Sequence, residues 1–365
     1  MAGTRRVKSL MLTRYESSGA SSRLRLLQYA DALRLVGINS SVAPFFDHAY
    51  LEKLYAKKPI LRSSLQAYGR RIAQLREVYN ADLLWLEKET LPWVPWAIER
   101  LLLPKDIPLI VDYDDAVFHR YDMHKSAAVR WFLGEKLDRL MRSAAVVTAG
   151  NAYLADRAKA AGARRVEIVP TVVDINAYAQ KPRHKHIRPV SIGWIGTPTT
   201  WVEYMMPIMP VLTAIAEAHS ARFSVVGAGR AAITHPLVDN SPWTEASEVA
   251  EIHAMDIGIM PLTDTPWAQG KCGYKLIQYM ACGLPVIASP VGVNCEIVEH
   301  GVNGFLAETH DDWREALTIL MANPDLRWEM GQAGRMKVQQ KYSLQIWGPK
   351  VVNILQSATK STGKP

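Results

Sequence analysis

The chain has 365 residues, 48% of them hydrophobic, with 43 Lys+Arg against 35 Asp+Glu. That is too long for one ordinary core and comfortable for two domains, while a mean hydropathy of -0.06 excludes both a disordered chain and a membrane bundle. The charge is uneven: residues 1–182 hold 28 Lys+Arg against 19 Asp+Glu and the remainder 15 against 16, so an anionic surface or substrate is expected on the N-terminal half.

In chain order, MAGTRRVKSLMLTRYESSG is basic with an apolar core of four residues, too short for a signal peptide, and no later run is long enough to span a bilayer. Val7 to Leu12 reads as a first strand, Ser17 to Ser22 as a small-residue loop, and Arg23 to Val36 as an amphipathic helix ended by Gly37. A loop at the carboxyl edge of a parallel sheet is where ligands sit in doubly wound folds. Its serines could equally cap the helix. A second strand is expected around Ser40 to Pro44. A long basic helical region, Leu51 to Tyr79, comes next with Lys53, Lys57, Lys58, Arg62, Arg70, Arg71 and Arg76. After the strand Asp82 to Leu86 comes the aromatic segment Leu91 to Pro104. Basic residues beside tryptophans and leucines have the composition of an interfacial membrane patch, and equally that of a solvated helix face beside a core-packed segment. No RNA-binding consensus accompanies them, so nucleic acid is not expected as a partner.

Ile107 to Asp115 is a buried strand that runs into three carboxylates, Asp112, Asp114 and Asp115. They are open to three readings: a functional site, a metal-binding DxD whose surrounding fold pattern is missing here, and helix capping. A helix over Trp131 to Arg142, the strand Ala144 to Ala149, a helix from Gly150 and the strand Val166 to Asp174 complete the alternation. Ala179 to Pro189 is charged, aperiodic and proline-containing, as an interdomain linker should be, and its His184 and His186 have no companion metal ligands.

The pattern then restarts. Val190 to Gly196 is a strand, and Thr197 to Thr200 a hydroxyl-rich loop capping a helix over Trp201 to Ala218. Phe223 to Ala232 fits GxGxxA after a strand, the bare dinucleotide fingerprint. The proline-interrupted stretch from Thr234 to Trp243 does not supply the helix that fingerprint needs, which argues against an oxidoreductase. Asp256 to Leu262 is a strand, and Gly270 to Leu306 is the most punctuated stretch of the chain. There Lys275 to Cys282 reads as a short helix stopped by Gly283, and Val286 to Ser289 as a buried strand between two prolines. The amides of Cys272, Gly273 and Tyr274 open that helix, where orphan N–H groups and the helix dipole favour a phosphate, and Lys271 and Lys275 flank the spot. Cys272, Cys282 and Cys295 are odd in number and lack metal-pair spacing, so reduced thiols in a cytoplasmic protein are expected.

This last stretch resembles the C-terminal signature of retaining glycosyltransferases of the GT-B fold, family 4 type (glycosyl transferases group 1), a pattern close to GxxxxEAMAxGxPVVAS succeeded by GxNGxL. The match runs through Tyr279, Met280, Ala281, Gly283, Pro285, Val286, Ala288, Ser289, Asn303 and Gly304. Asp256 to Leu262 is similar to the family's ADIGLxPL, and Val166 to Asp174 to its VIPNGVD. The family carries two glutamates eight positions apart, near the transferred sugar and the ribose; here those positions are Gly270 and Gln278, and Gln278 retains an amide oxygen for a ribose hydroxyl. The resemblance implies that the loop with Gly19, Ser22 and Arg23 lies over the diphosphate and the acceptor. It implies that Asp114, with His119 nearby, takes the place of the family's histidine beside the reacting carbon. It further implies that Gly196, Thr197, Gly229 and Arg230 lie near the donor and that Trp243 and Thr244 lie where relatives hold the base, a ring face there being able to stack on it. Lys271 and Lys275 would supply the charge that many relatives place after the strand at Val190.

The expectation is therefore an α/β protein of GT-B type, two doubly wound Rossmann-like domains facing a central cleft: 1–180 for the acceptor, 188–344 for the nucleotide sugar, and a last helix from about 345 to 365 packed back on the first domain. Implied are metal-independent sugar transfer with retention from a nucleotide-diphosphate sugar to a hydroxyl, no cofactor, and a saccharide or lipid-linked saccharide acceptor. The setting implied is cell-surface polysaccharide or lipopolysaccharide assembly, on the inner face of a membrane. A homologue that binds the nucleotide sugar without transfer and a sugar-nucleotide epimerase are the alternatives.

Overall fold

A computed structural model describes residues 6–56, 58–183 and 189–360, so Lys57, His184 and His186 lie outside the described residues. The chain forms two compact units. The first contains residues 1–171, 270–272 and 347–365, the second residues 172–269 and 273–346.

The first unit is built on a parallel sheet of β1 (Val7–Tyr15), β2 (Ile38–Phe46), β3 (Leu83–Glu87), β4 (Leu109–Tyr113), β5 (Val146–Ala149) and β6 (Val166–Ile168), in the order β2-β1-β3-β4-β5-β6. β3, β4 and β5 are buried along their whole length, which is why their sequences are apolar runs with no alternation. β2 is the edge strand and tolerates Pro44, which cannot donate to a ladder. The order reverses between β1 and β3, and the crevice outside the carboxyl ends of these strands is the favoured ligand position in such sheets.

Helices here are shorter than their sequence periodicity suggests. The stretch after β1 divides into Ala20–Arg25, a 3-10 turn Leu27–Tyr29 and Ala30–Leu35. The basic region divides at Pro59 into His48–Tyr55 and Leu61–Gln74, since a proline pushes its predecessor out of the helical region. Arg71 corrects the view of that region as a free basic surface. It is fully buried and donates to the Ala43 and Thr13 carbonyls at 2.9 and 2.6 Å, while Arg70 pairs with Asp47 at 2.9 Å.

The second unit has β7 (Ser191–Ile195), β8 (Arg222–Val226), β9 (Val238–Ser241), β10 (Ile257–Met260), β11 (Val286–Ala288) and β12 (Gly304–Leu306), all parallel, in the order β12-β11-β10-β7-β8-β9. The order reverses between β7 and β10. Trp194 and Trp201 pack edge to face at 5.3 Å under one side of the sheet, with Trp313 in the same cluster. The helix expected over Trp201 to Ala218 is a π-helical turn, Trp201–Met205, and then Met209–Ala218, because Pro207 cannot continue an α-helix, whereas Pro210 is tolerated in the first turn of the second one. β8 leads into a three-residue 3-10 turn, Gly229–Ala231, not the long helix of a dinucleotide fold. The final helix runs Leu344–Lys360, its residues from Trp347 onward belonging to the first unit.

Candidate functional site

In the second unit the residues proposed from sequence gather at the carboxyl edge of the sheet, at the reversal between β7 and β10. β7 ends on Ile195, whose N–H donates to the buried Tyr279 hydroxyl at 2.9 Å and so fixes the helix Tyr274–Ala281 to the strand end. Gly196 and Thr197 come directly after it. The Thr197 hydroxyl accepts from Thr200 N at 3.3 Å while the Thr200 hydroxyl accepts from Thr197 N at 3.0 Å, a reciprocal cap. After β8, a Cβ at Gly227 would stand 2.3 Å from the Gly196 carbonyl and 3.2 Å from Trp243 Cβ, so the loops after β7, β8 and β9 touch one another. Gly229 and Arg230 are exposed on the second of these loops, and the Gly229 carbonyl accepts from Asn240 at 2.8 Å. Thr244 is exposed and bonds Ser247 at 2.6 Å.

Gly273 opens the Tyr274–Ala281 helix at φ 64, a conformation that glycine adopts without penalty. Lys275 Nζ stands 4.6 Å from the centre of the Trp194 ring, a cation–π contact that holds the ammonium beside the end of β7. Gln278 differs from expectation. It is 2% exposed, and its amide donates to the Tyr178 hydroxyl at 3.0 Å. Tyr178 in turn donates to Glu248 and lies 3.1 Å from the Tyr274 hydroxyl, and Glu248 also accepts from the Trp243 indole at 2.8 Å. Gln278 is thus a largely buried member of a protein network through its amide nitrogen. Burial pushes the Tyr178 hydroxyl well above its ordinary range, with Tyr274 and Glu248 adding to the effect, so it acts as a donor throughout. Sequence reasoning missed Tyr178 and Glu248 because neither lies in a recognisable motif.

In the first unit the carboxyl ends of β1, β3 and β4 carry a dense polar cluster at the β1/β3 reversal. Asp112 accepts from Arg25 Nε and Nη2 at 2.9 and 2.8 Å and from the Thr148 hydroxyl at 2.6 Å, and Arg25 Nη1 donates to the Val169 carbonyl at 2.7 Å. Glu87 accepts from Arg14 N at 2.7 Å and Ser22 at 2.5 Å. Ser21 lies 2.7 Å from Glu87 and 2.6 Å from Asp114. The serines therefore bind carboxylates rather than cap the next helix, whose cap, Gly19, offers no side chain. Arg23 donates to the Ser17 carbonyl at 3.0 Å. Lys88, at φ 64, sets its ammonium 2.8 Å from Asp114. Burial opposes charge on Asp114, but Lys88, Arg25 and the bond from Ser21 outweigh it and bring the carboxyl down to about 2. Asp114 is therefore a permanent anion, suited to electrostatic work and not to donating a proton.

Two further expectations change. His119 has both ring nitrogens engaged, with Asp122 at 2.9 Å and the Tyr153 hydroxyl at 2.7 Å, which makes it a structural residue of its helix. Lys271 and Cys272 belong to the first unit: Lys271 Nζ pairs with Asp115 at 3.1 Å, its carbonyl accepts from Asn151 at 2.9 Å, and the Cys272 thiol donates to the Asp114 carbonyl at 3.1 Å. The formal charge of Lys271 is already matched by Asp115. Asp112, Asp114 and Asp115 thus each face a cation of the protein, an arrangement opposed to a metal-binding DxD.

Residues 188–323 match the family described as Glycosyl transferases group 1. The D-inositol 3-phosphate glycosyltransferase of Pseudarthrobacter chlorophenolicus is 31% identical over 100 residues, 27% of this chain and 23% of the relative. The GDP-mannose-dependent monoacylated alpha-(1-6)-phosphatidylinositol monomannoside mannosyltransferase of Corynebacterium glutamicum is 38% identical over 87 residues, 23% of each chain. The match therefore spans about a quarter of these curated relatives. Over nearly the whole chain the architecture is that of GT-B glycosyltransferases, two Rossmann-like units. HepE from Anabaena, solved with UDP and glucose, superposes with a TM-score of 0.70 at 16% identity, covering 96% of this chain and 100% of that one. A sucrose-phosphate synthase from Thermosynechococcus elongatus gives 0.68 at 14%, covering 98% and 100%.

Proposed function

We propose that the protein is a group 1 glycosyltransferase that moves a sugar from a nucleotide-diphosphate sugar to a hydroxyl acceptor with retention. The observation that carries this is the convergence of the Gly196, Gly227 and Trp243 loops at the β7/β10 reversal, beside the Tyr274–Ala281 helix, all inside the family-matching segment. In this reading Trp243 offers a face to the base. The amides of Gly273 and Tyr274 with the Lys275 ammonium stabilise the leaving diphosphate as the bond from the sugar carbon to its phosphate oxygen breaks. The acceptor oxygen takes that place on the sugar, and its proton passes to the departing diphosphate oxygen. The first unit serves the acceptor, with the Asp114 anion as the electrostatic group, and neither metal nor cofactor takes part. A saccharide or lipid-linked saccharide acceptor in surface polysaccharide or lipopolysaccharide assembly suits the basic N-terminal half.

The test is a thermal-shift panel of nucleoside diphosphates and their sugars, since a ligand of the native state raises the melting temperature by mass action. One or more nucleotide sugars should stabilise the protein and dinucleotides should not. No stabilisation by any member would overturn the reading.

A second reading, binding without transfer, is favoured by Gly270, which stands where the family has a glutamate. A Cβ at this position would lie 2.6 Å from Ala116 Cβ, so no larger side chain fits without displacing the chain. Transfer to an acceptor, or hydrolysis of a donor that also stabilises the protein, would dismiss it.

A further inference from the structure

We propose that the face of the first unit around Trp131 and Phe132 docks on an anionic lipid surface. Trp131 is 78% and Phe132 63% exposed on the helix Ala127–Leu133, and their rings meet edge to face at 4.3 Å, so the pair stands in solvent supported by little but itself. Arg130 folds back to donate to the His124 and Lys125 carbonyls at 2.6 and 3.0 Å, and the His124 ring lies 5.7 Å from that of the 46%-exposed Trp93. The exposed rings of Trp131 and Phe132 thus stand in the same short stretch of chain as the exposed cations Lys125 and Arg130. The acidic groups near this face are already matched. Asp122 is held by His119 and Arg157 at 2.9 and 3.0 Å, and Glu135 by Arg139 at 2.9 Å, which leaves the patch positive.

The chemistry selects the occupant. Tryptophan with lysine and arginine is the composition that settles at a bilayer surface, where the rings enter the headgroup layer and the cations meet anionic lipid. A second copy of the chain is disfavoured, because a two-fold contact through this face would gather the cations of both copies in one interface. This proposal stands on the first unit alone and does not depend on the glycosyltransferase reading. The position is distinct from the basic stretch Leu51 to Tyr79, whose Arg70 and Arg71 are spent on Asp47 and on buried carbonyls.

The test is co-sedimentation of the full chain with phosphatidylglycerol-containing vesicles and with pure phosphatidylcholine vesicles. The protein should pellet with the former, less so at high salt, and Trp131→Ala/Phe132→Ala should lower the bound fraction about tenfold, as loss of two interfacial anchors implies. Lys125→Glu/Arg130→Glu should abolish the preference for anionic lipid. Trp131, Phe132 and Lys125 are exposed, so the aromatic variant and Lys125→Glu alone, which leaves the bonds of Arg130 in place, should keep the wild-type melting temperature and separate lost binding from lost folding. Failure of the wild type to pellet, or equal pelleting of the aromatic double variant, would overturn the proposal. So would light scattering that finds a dimer dispersed by the same double variant without any vesicle binding.

Discussion

Lys88 meets Asp114 at 2.8 Å from a left-handed backbone, with the two side chains only 7% and 14% exposed. A non-glycine residue in that conformation persists only where its surroundings hold it there. Removing one member of such a pair leaves the other charge unmatched at a cost of about 3–5 kcal/mol. Lys88→Met should therefore be strongly destabilising. Lys88→Met/Asp114→Asn should recover a large part of that loss, giving a coupling of about 1–3 kcal/mol in a denaturation double-mutant cycle. Additive effects would show that the pair does not hold the loop.

A pH dependence arises from Glu99, which is buried against Lys136 at 3.0 Å, while the same lysine serves Glu89 at 2.7 Å. Burial raises the Glu99 carboxyl to about 7 although Lys136 pulls it down. A folded-state value above that of the unfolded chain means that its contribution to stability is complete below about 4.5 and fades as pH rises through about 7. The native state should lose on the order of 3 kcal/mol from this group between those limits. Glu99→Gln mimics the protonated form. Its melting temperature should stay flat relative to wild type across that window, and parallel curves would refute the assignment.

How far the sequence could be read depended on the type of signal. β3, β4, β7, β10 and β11 were legible because a strand buried on both faces must be an uninterrupted apolar run. β9 and β12 were not, being short and lying at the sheet edges, where Val238–Ser241 has one apolar residue and Gly304–Leu306 has three residues in all. The glycine-bounded helix at Tyr274 was visible from its punctuation. The partners of its side chains were not, because Gln278 meets Tyr178 across 100 positions and Lys271 meets Asp115 across 156. Motif spacing reports local backbone shape and carries no information about such distant pairings. Arg71 reads as a surface charge for the same reason: nothing local reveals that the Thr13 and Ala43 carbonyls await it.

The Tyr178 network makes a prediction against the family pattern. Restoring a glutamate with Gln278→Glu would place a second carboxylate on the hydroxyl that already serves Glu248. Like charges in a buried site are costly, and the lost amide donor is not replaced. The variant should be less stable than wild type by roughly 1–3 kcal/mol and should not gain nucleotide affinity. Thermal shifts with and without nucleotide measure both. A stable variant with tighter binding would mean that Gln278 faces the ligand after all.

Lys271 and Lys275 are four positions apart and should respond differently to removal. Lys275 holds its ammonium over the Trp194 ring at the end of β7, whereas Lys271 pairs with Asp115 in the first unit. Under the proposed function, it is Lys275 that meets the diphosphate. Lys275→Ala should weaken a nucleoside diphosphate about tenfold or more, in line with loss of a charge-assisted contact of about 1.5–3 kcal/mol, and should scarcely change binding of the uncharged nucleoside. Lys271→Ala should leave both affinities near wild type and show its effect in stability, through the unmatched Asp115. Calorimetric titration of the two variants with diphosphate and nucleoside separates the contributions. If Lys271→Ala proved the one that loses the diphosphate, the charge would have to be supplied from the first unit, and the assignment of the leaving group to the Tyr274 helix would fall.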